Sequence, residues 1–312
     1  MTSLHSNRNA MSSWLTVKQP NSQMWQTKST HAICLAATDH APSLRMQQPL
    51  SSPPNARIWF ALATLLIAAG IFTQYADWHP QLMLGLNQAA GQLPDTFWSC
   101  ITVSGLGWAV LILVSVMHRG DLGARIVLTA FIVGGIVTHT IKPLLSFPRP
   151  GEVLPLDLLH FIGNPVINHH SMPSGHALAA LSMGTLWVCL MRSQQLSRGL
   201  EWLSWIIVLM IASSRIAVGA HWPADVLVGS GLGLMVGWLA WRFPFAWPRH
   251  NTHAFPWLPV LIESVGAWAA FTLDEGMPLA LVWQWLLGVI AVLSIAWRIQ
   301  TWWVQPTSEN SA

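Results

Sequence analysis

From residue 58 onward, long apolar runs alternate with short polar breaks. Eight runs stand out, at residues 58–76, 97–117, 126–141, 177–191, 202–214, 226–241, 257–273 and 277–297. A helix needs about 20 apolar residues to cross a bilayer, or fewer where flanking side chains snorkel. The first, second and eighth runs reach that length. The third to sixth are shorter, each clipped at one end by an arginine or by a residue of a polar motif. The seventh carries Glu263 near its middle. A carboxylate there is costly unless it is paired or protonated, so either it has a role or the run is not a full span. The pattern predicts an all-α fold: a polytopic membrane helical bundle with a six-span core at residues 56–245 and two further spans in a C-terminal hydrophobic pair at 246–304. Residues 1–55 are rich in Ser, Thr, Asn and Gln without sustained periodicity and read as a disordered polar tail. They lack the continuous apolar stretch of a signal peptide, and Met46 is a candidate alternative start. Residues 305–312 form a second polar tail.

Composition supports a membrane protein. Hydrophobic residues make up 53% of the chain and charged residues 9%, against about 25% charged in an average soluble domain. A net charge of +3 is too small to suggest nucleic acid and fits basic loops against anionic lipid headgroups. Cys34, Cys100 and Cys189 show neither metal spacing nor a disulfide framework and read as isolated thiols. With a cytoplasmic N-terminus and eight crossings, every lysine and arginine falls on the inner side except Lys142, Arg149 and Arg215. Positive residues on the outer face are disfavoured, and a bound anion is a reason for these three.

Those three cations lie in short polar motifs: KPLLSFPRP at 142–150, PSGH at 173–176 and SRIAVGAHWPAD at 214–225. Phosphoryl transfer depends mainly on positioning and on charge stabilisation of the equatorial oxygens, which Lys142, Arg149 and Arg215 can supply. Ser174 can cap a helix whose first N–H groups, at Gly175 and His176, point at an anion. Gly175 permits close approach of the backbone. If a helix begins near Pro223, Asp225 lies about one turn beyond His221 and can accept one ring N–H, leaving the other nitrogen as a nucleophile. A protonated His176 can give its proton to the departing alkoxide. Taken singly, each piece has a plain structural explanation: a histidine beside a helix-starting proline, or a lysine that snorkels at a span end. The ordered set on one membrane face carries the signal.

Other polar residues are less informative. His139 shares a helix face with Lys142. His160, His169 and His170 have no acidic or cysteine partner at a ligand spacing, so no metal is expected there. The leucine-bearing loop at 151–172 is either an interfacial entrance for lipid tails or a plain external loop. Gly229, Gly233 and Gly237 form either a close-packing stripe or ordinary membrane-helix glycines.

The three motifs resemble those of the type-2 phosphatidic acid phosphatase superfamily, which also contains the vanadium haloperoxidases. The pattern K-x6-RP, PSGH and SR-x5-H-x3-D is met at every position, and the resemblance covers about residues 58–245. It implies chemistry without metal or cofactor. His221 would form a phosphohistidine, supported by Asp225, with His176 as general acid. Lys142, Arg149, Ser174, Gly175 and Arg215 would bind phosphate. The expected function is an integral-membrane phosphatase acting on a lipid phosphate or diphosphate of the phosphatidate, phosphatidylglycerophosphate, polyprenyl diphosphate or lipid A type. It would lie in a bacterial inner membrane with its site on the periplasmic or outer face. A phosphotransferase using the same intermediate is the near alternative. An intramembrane serine protease with a Ser174–His221 dyad, or a non-enzymatic membrane protein, represents other classes. The protease would leave the three cations idle.

Overall fold

The computed structural model describes residues 55–117, 121–244 and 257–304, with side chains in the last helix to residue 301. The expectations for residues 1–54 and 305–312, including Met46 and Cys34, lie outside the described residues. All regular structure among the described residues is helical: α1 (Ala56–Gln74), α2 (His79–Ala90), α3 (Asp95–Val103), α4 (Gly107–Met117), α5 (Asp121–Leu145), α6 (Pro150–Val153), α7 (Gly175–Ser193), α8 (Arg198–Ala217), α9 (Pro223–Arg242), α10 (Leu258–Thr272) and α11 (Leu281–Val304).

Each predicted apolar run is helical. Helices α1, α5, α8, α9 and α11, the last with its preceding 3-10 turn, are long and apolar enough to cross a membrane. Helices α3 and α4 make a sixth candidate if taken as one span bent by 71°. Two of the eight expected spans differ. Helix α10 has only 15 residues. Helix α7 has 19 but is less apolar, and nearly all of its middle is buried inside the bundle. A helix surrounded by protein does not face lipid and can carry small polar residues such as Ser182 and Thr185. The outer helices show the converse. Ile58 and Phe72 on α1 are 65% and 70% exposed, and Val282 on α11 is 69% exposed. Apolar side chains in that number need hydrocarbon around them. The chain is a multi-pass membrane protein.

Helix α9 lies at the centre, packed chiefly on α1 and α7. The glycine stripe explains the closeness of the α7–α9 seam. A Cβ on Gly229 would stand 2.4 Å from the Ser174 carbonyl oxygen, on Gly233 2.5 Å from that of Leu178, and on Gly237 2.7 Å from that of Ser182. Because the obstacles are backbone atoms, they cannot swing aside. Gly233→Leu is therefore expected to destabilise the fold by about 3 kcal/mol or more, seen as a lower thermal midpoint in detergent. Gly85→Ala, where a Cβ meets nothing within 4 Å, should leave the midpoint unchanged or raise it.

Glu263 does have a partner. It is fully buried and paired with Arg298 of α11 at 2.9 Å. Ser115 and Ser294 donate to it at 2.8 and 3.0 Å, and Arg298 also donates to the Ser115 carbonyl at 2.7 Å. Breaking such a buried pair by removing one partner strands a charge, so the network ties α10 and α11 to α4.

The carboxyl ends of α1, α5 and α8 and the amino ends of α7 and α9 meet at one end of the bundle. Helix α2, which its weak hydropathy pattern does not reveal, caps that end. Its fully buried Asn87 donates through its side-chain nitrogen to the carbonyls of His160, Ile216 and Ala217, each at 3.0 Å, and accepts from the His160 N–H at 2.8 Å. One side chain thus fastens the 154–163 loop to the end of α8.

Candidate active site

The turn between α8 and α9 is a Schellman motif. The Gly219 N–H bonds the Ile216 carbonyl at 3.0 Å and the Ala220 N–H bonds that of Arg215 at 3.1 Å. Gly219 takes the left-handed conformation this motif needs, with φ +75°. Two residues later comes His221, whose own N–H also bonds the Arg215 carbonyl at 3.1 Å. Pro223 then opens α9, and Asp225 in its first turn accepts from the Trp222 N–H at 2.9 Å. Trp222 is held by its indole N–H on the Pro148 carbonyl at 2.8 Å and by the ring of His79, 4.6 Å away between centroids. The spacing from Ser214 to Asp225 is therefore the length of one helix stop and one helix start.

The imidazole of His221 is 2% exposed, with different partners on its two nitrogens. Nδ1 lies 3.2 Å from Asp225 Oδ2, and Nε2 lies 3.2 Å from Arg149 Nη1. A guanidinium can only donate, so Nε2 accepts and the ring proton sits on Nδ1, facing the carboxylate. Asp225 Oδ2 also takes a short hydrogen bond from Ser171 Oγ. Burial holds the His221 imidazole well below its ordinary value, and the positive charges of Arg149, Arg215, Lys142 and His176 push it further down. The ring is neutral, with its lone pair turned towards the cations.

Arg149 follows the end of α5 and is fixed on three sides. Its Nε donates to Asn168 Oδ1 at 2.9 Å, Nη1 to the Ala220 carbonyl at 2.7 Å and Nη2 to the His170 carbonyl at 3.4 Å. Arg215 donates from Nη1 to Thr102 Oγ1 at 2.6 Å, while its Nε is buried without a partner. Lys142, half-buried, makes no hydrogen bond or ion pair among the described residues. Ser174 is fully buried, and its hydroxyl accepts from the Ala177 N–H at 3.4 Å as the cap of α7. Gly175 and His176 begin that helix. Three cations thus share a neighbourhood with one buried carboxylate, an arrangement that favours a bound anion.

Several supporting residues gave no signal in the sequence. Asn168 and Ser171 stand between two motifs in a segment without periodicity, yet they orient Arg149 and Asp225. Thr102 comes from α3, where the bend to α4 at Gly105 lets His176 and Ile211 approach: a Cβ at Gly105 would lie 2.4 Å from Ile211 and 3.3 Å from the His176 ring. His160 pairs with Asp95 at 2.8 Å and His169 with Glu152 at 3.4 Å. Among the described residues no three His, Cys, Asp or Glu side chains are grouped to hold a metal.

His176 lies where two cavities meet. A cavity of about 360 Å³ with a mixed lining has Thr102, Asn164, Asn168, Arg215, Glu275 and His176 as its polar side and Val103, Leu106, Val166, Ile167 and Met277 as its apolar side. An apolar cleft of about 220 Å³ runs from Gly175, His176 and His139 between α4, α5 and α7 down to Leu186.

Residues 123–249 match the sequence model of the PAP2 superfamily. Over this segment the chain is similar to the PAP2 superfamily. The PAP2 segment holds every candidate residue from Lys142 to Asp225, whereas Asn87, Thr102 and Glu275 lie outside it. An undecaprenyl-diphosphatase from Sulfolobus acidocaldarius is 31% identical over 113 residues, which are 36% of this chain and 50% of that protein. A lipid A 4'-phosphatase from Bacteroides thetaiotaomicron is 28% identical over 119 residues, again 36% of this chain and 50% of the relative. The chain thus spans about half the length of these two relatives. The crystal structure of Aquifex aeolicus LpxE covers 54% of this chain and 98% of its own, with a TM-score of 0.46 and 21% identity.

Proposed function

We propose that the protein is an integral-membrane phosphatase that hydrolyses a lipid phosphate or diphosphate through a phosphohistidine on His221. The observation that carries this is the fixed tautomer of His221, whose Nε2 lone pair faces Arg149 at 3.2 Å within the cluster of three cations. Those cations suit the oxygens of a phosphoryl group, and the lone pair suits attack on its phosphorus. In the first step the Nε2–P bond forms, the bond from phosphorus to the lipid oxygen breaks, and His176 gives that oxygen a proton. In the second, water attacks phosphorus, its proton passes to His176, and inorganic phosphate leaves with Nε2 restored. The junction at His176 of an apolar cleft and a cavity that carries Arg215, Glu275 and two asparagines suits an amphiphilic substrate. Both named relatives act on lipid-linked phosphates, as their names state. The lysine and arginine count favours a cytoplasmic N-terminus, with the site on the outer face. A Ser174–His221 dyad has no support in the geometry, since the Ser174 hydroxyl caps α7 and both His221 nitrogens have other partners.

The test is phosphate release from a panel of purified lipid phosphates and diphosphates in mixed micelles, with excess EDTA present. Release of inorganic phosphate from at least one of them is expected. No release from any, or release only after a metal is added, overturns the proposal. The pH profile adds a second check. The neutral ring is the active form and its protonation is pushed below the ordinary value of 6.5. The contribution of this ring is therefore present above that lowered value and is lost as pH falls through it. The acid limb of kcat/KM should lie below pH 6.5, and an acid limb above 6.5 would mean that the attacking group is not this imidazole.

A further inference from the structure

Two sides of the cavity beside His176 come from outside the PAP2 segment: Thr102, Val103 and Leu106 around the α3–α4 bend, and a stretch nearer the C-terminus. The linker between α10 and α11 supplies Glu275 and Met277. It is latched in place by its backbone: the Asn164 N–H bonds the Gly276 carbonyl at 2.9 Å, and the Gly276 N–H bonds Asp274 Oδ1 at 2.8 Å. Gly163 and Gly276 face each other in left-handed conformations, with φ +77° and +68°, and a Cβ on Gly163 would stand 2.4 Å from the Gly276 oxygen. Glu275 is half-buried, and its Oε1 accepts from the Trp108 indole N–H at 2.8 Å. Arg215 lines the same cavity. A basic and an acidic side chain therefore border one space.

We infer that Glu275 determines specificity for the alcohol side of the substrate, favouring a phosphate monoester whose alcohol carries a hydroxyl or amino group near the phosphate and disfavouring a diphosphate. The inference rests on the phosphatase proposal. With the phosphoryl group held by Arg149, Arg215 and Lys142, the departing alcohol points past His176 into the cavity that Glu275 lines. A donor on that alcohol meets a carboxylate acceptor, a hydrogen bond to a charged group. A second phosphate in the same place meets a like charge in a confined, half-buried space. Carried on the C-terminal pair rather than on the motif helices, the residue can set substrate choice without altering the reacting groups.

The experiment uses the full-length protein and three probes: a 1-acylglycerol 3-phosphate with its free 2-hydroxyl, the 2-deoxy analogue with the same acyl chain, and farnesyl diphosphate. The wild type is expected to prefer the hydroxylated monoester over its deoxy analogue by roughly tenfold or more in kcat/KM, carried mainly by KM. Glu275→Gln keeps an acceptor for Trp108 and removes the charge. It should bring the two monoesters within about threefold of each other and raise the relative kcat/KM for farnesyl diphosphate by roughly tenfold. Thermal midpoints in detergent report whether the variant is folded, and the wild-type preference is measurable without it. A wild type that releases phosphate but does not distinguish the two monoesters, or a folded variant with unchanged ratios, overturns the inference and leaves the phosphatase proposal standing. A wild type inactive on all three probes, and on the wider lipid panel, overturns that proposal and this inference with it.

Discussion

His221→Ala is expected to lower phosphate release by roughly 10⁴-fold or more, the scale of losing a nucleophile from a site whose other groups stay in place. The remaining groups do not depend on the imidazole for their positions. Arg149 keeps Asn168, Ala220 and His170, and Arg215 keeps Thr102. The loop keeps its form, because Ala220 and residue 221 bond the Arg215 carbonyl through backbone N–H groups. An anion should therefore still bind. The loss should fall on kcat, with competitive inhibition by vanadate or phosphate in the wild type matched by direct binding of the same anion to the variant. No phosphoryl group should be trapped on the variant when it is quenched in mid-reaction. His176→Ala, by contrast, retains Nε2 and should still become phosphorylated by a substrate whose leaving group needs no proton. If His221→Ala keeps more than a tenth of the wild-type rate, another residue attacks phosphorus.

What the sequence made legible follows from how locally each feature is encoded. The turn carrying His221 is written within a dozen residues: a helix stop at Gly219, a helix start at Pro223 and the carboxylate in the next turn. The cations at Lys142, Arg149 and Arg215 lie at helix ends, so counting spans was enough to bring them to one end of the bundle. The helices themselves were visible as apolar runs, but hydropathy cannot distinguish a lipid-facing helix from one enclosed by protein. The run of α7 therefore has the pattern of an ordinary span, although the helix is enclosed by protein. Helix α2 mixes His79, Asn87 and small residues and has no long apolar run, so neither it nor the clamp that Asn87 makes is legible in the hydropathy pattern. The glycine stripe was equally compatible with two explanations until the opposing carbonyls were seen. Asn168, Ser171 and Thr102 act on partners 19, 54 and 113 positions away, and no spacing rule reaches that far. Glu263 posed a question that Arg298, 35 positions later, answers.

Arg149→Lys is expected to cost roughly 10²- to 10³-fold in kcat/KM although it preserves the charge. The guanidinium reaches four acceptors with three nitrogens: Asn168 Oδ1, the carbonyls of Ala220 and His170, and His221 Nε2. An ammonium has its three donors on one nitrogen and cannot span that set. The buried acceptors are the Ala220 carbonyl and His221 Nε2, and either one left without its donor costs about 1–3 kcal/mol. The most exposed consequence falls on His221, because the Nη1 contact is what turns the Nε2 lone pair towards the cations. Two measurements separate charge from geometry. Lys142, which makes no hydrogen bond or ion pair among the described residues, should tolerate Lys142→Arg with a loss of less than about tenfold, since its charge acts at short range without a fixed fork. Asn168→Ala removes the oxygen that accepts from Arg149 Nε and from the His170 N–H and should reproduce part of the Arg149→Lys loss while every charge remains. If Arg149→Lys proves as mild as Lys142→Arg, Arg149 acts as a simple positive charge and its fixed geometry contributes little to the chemistry at His221.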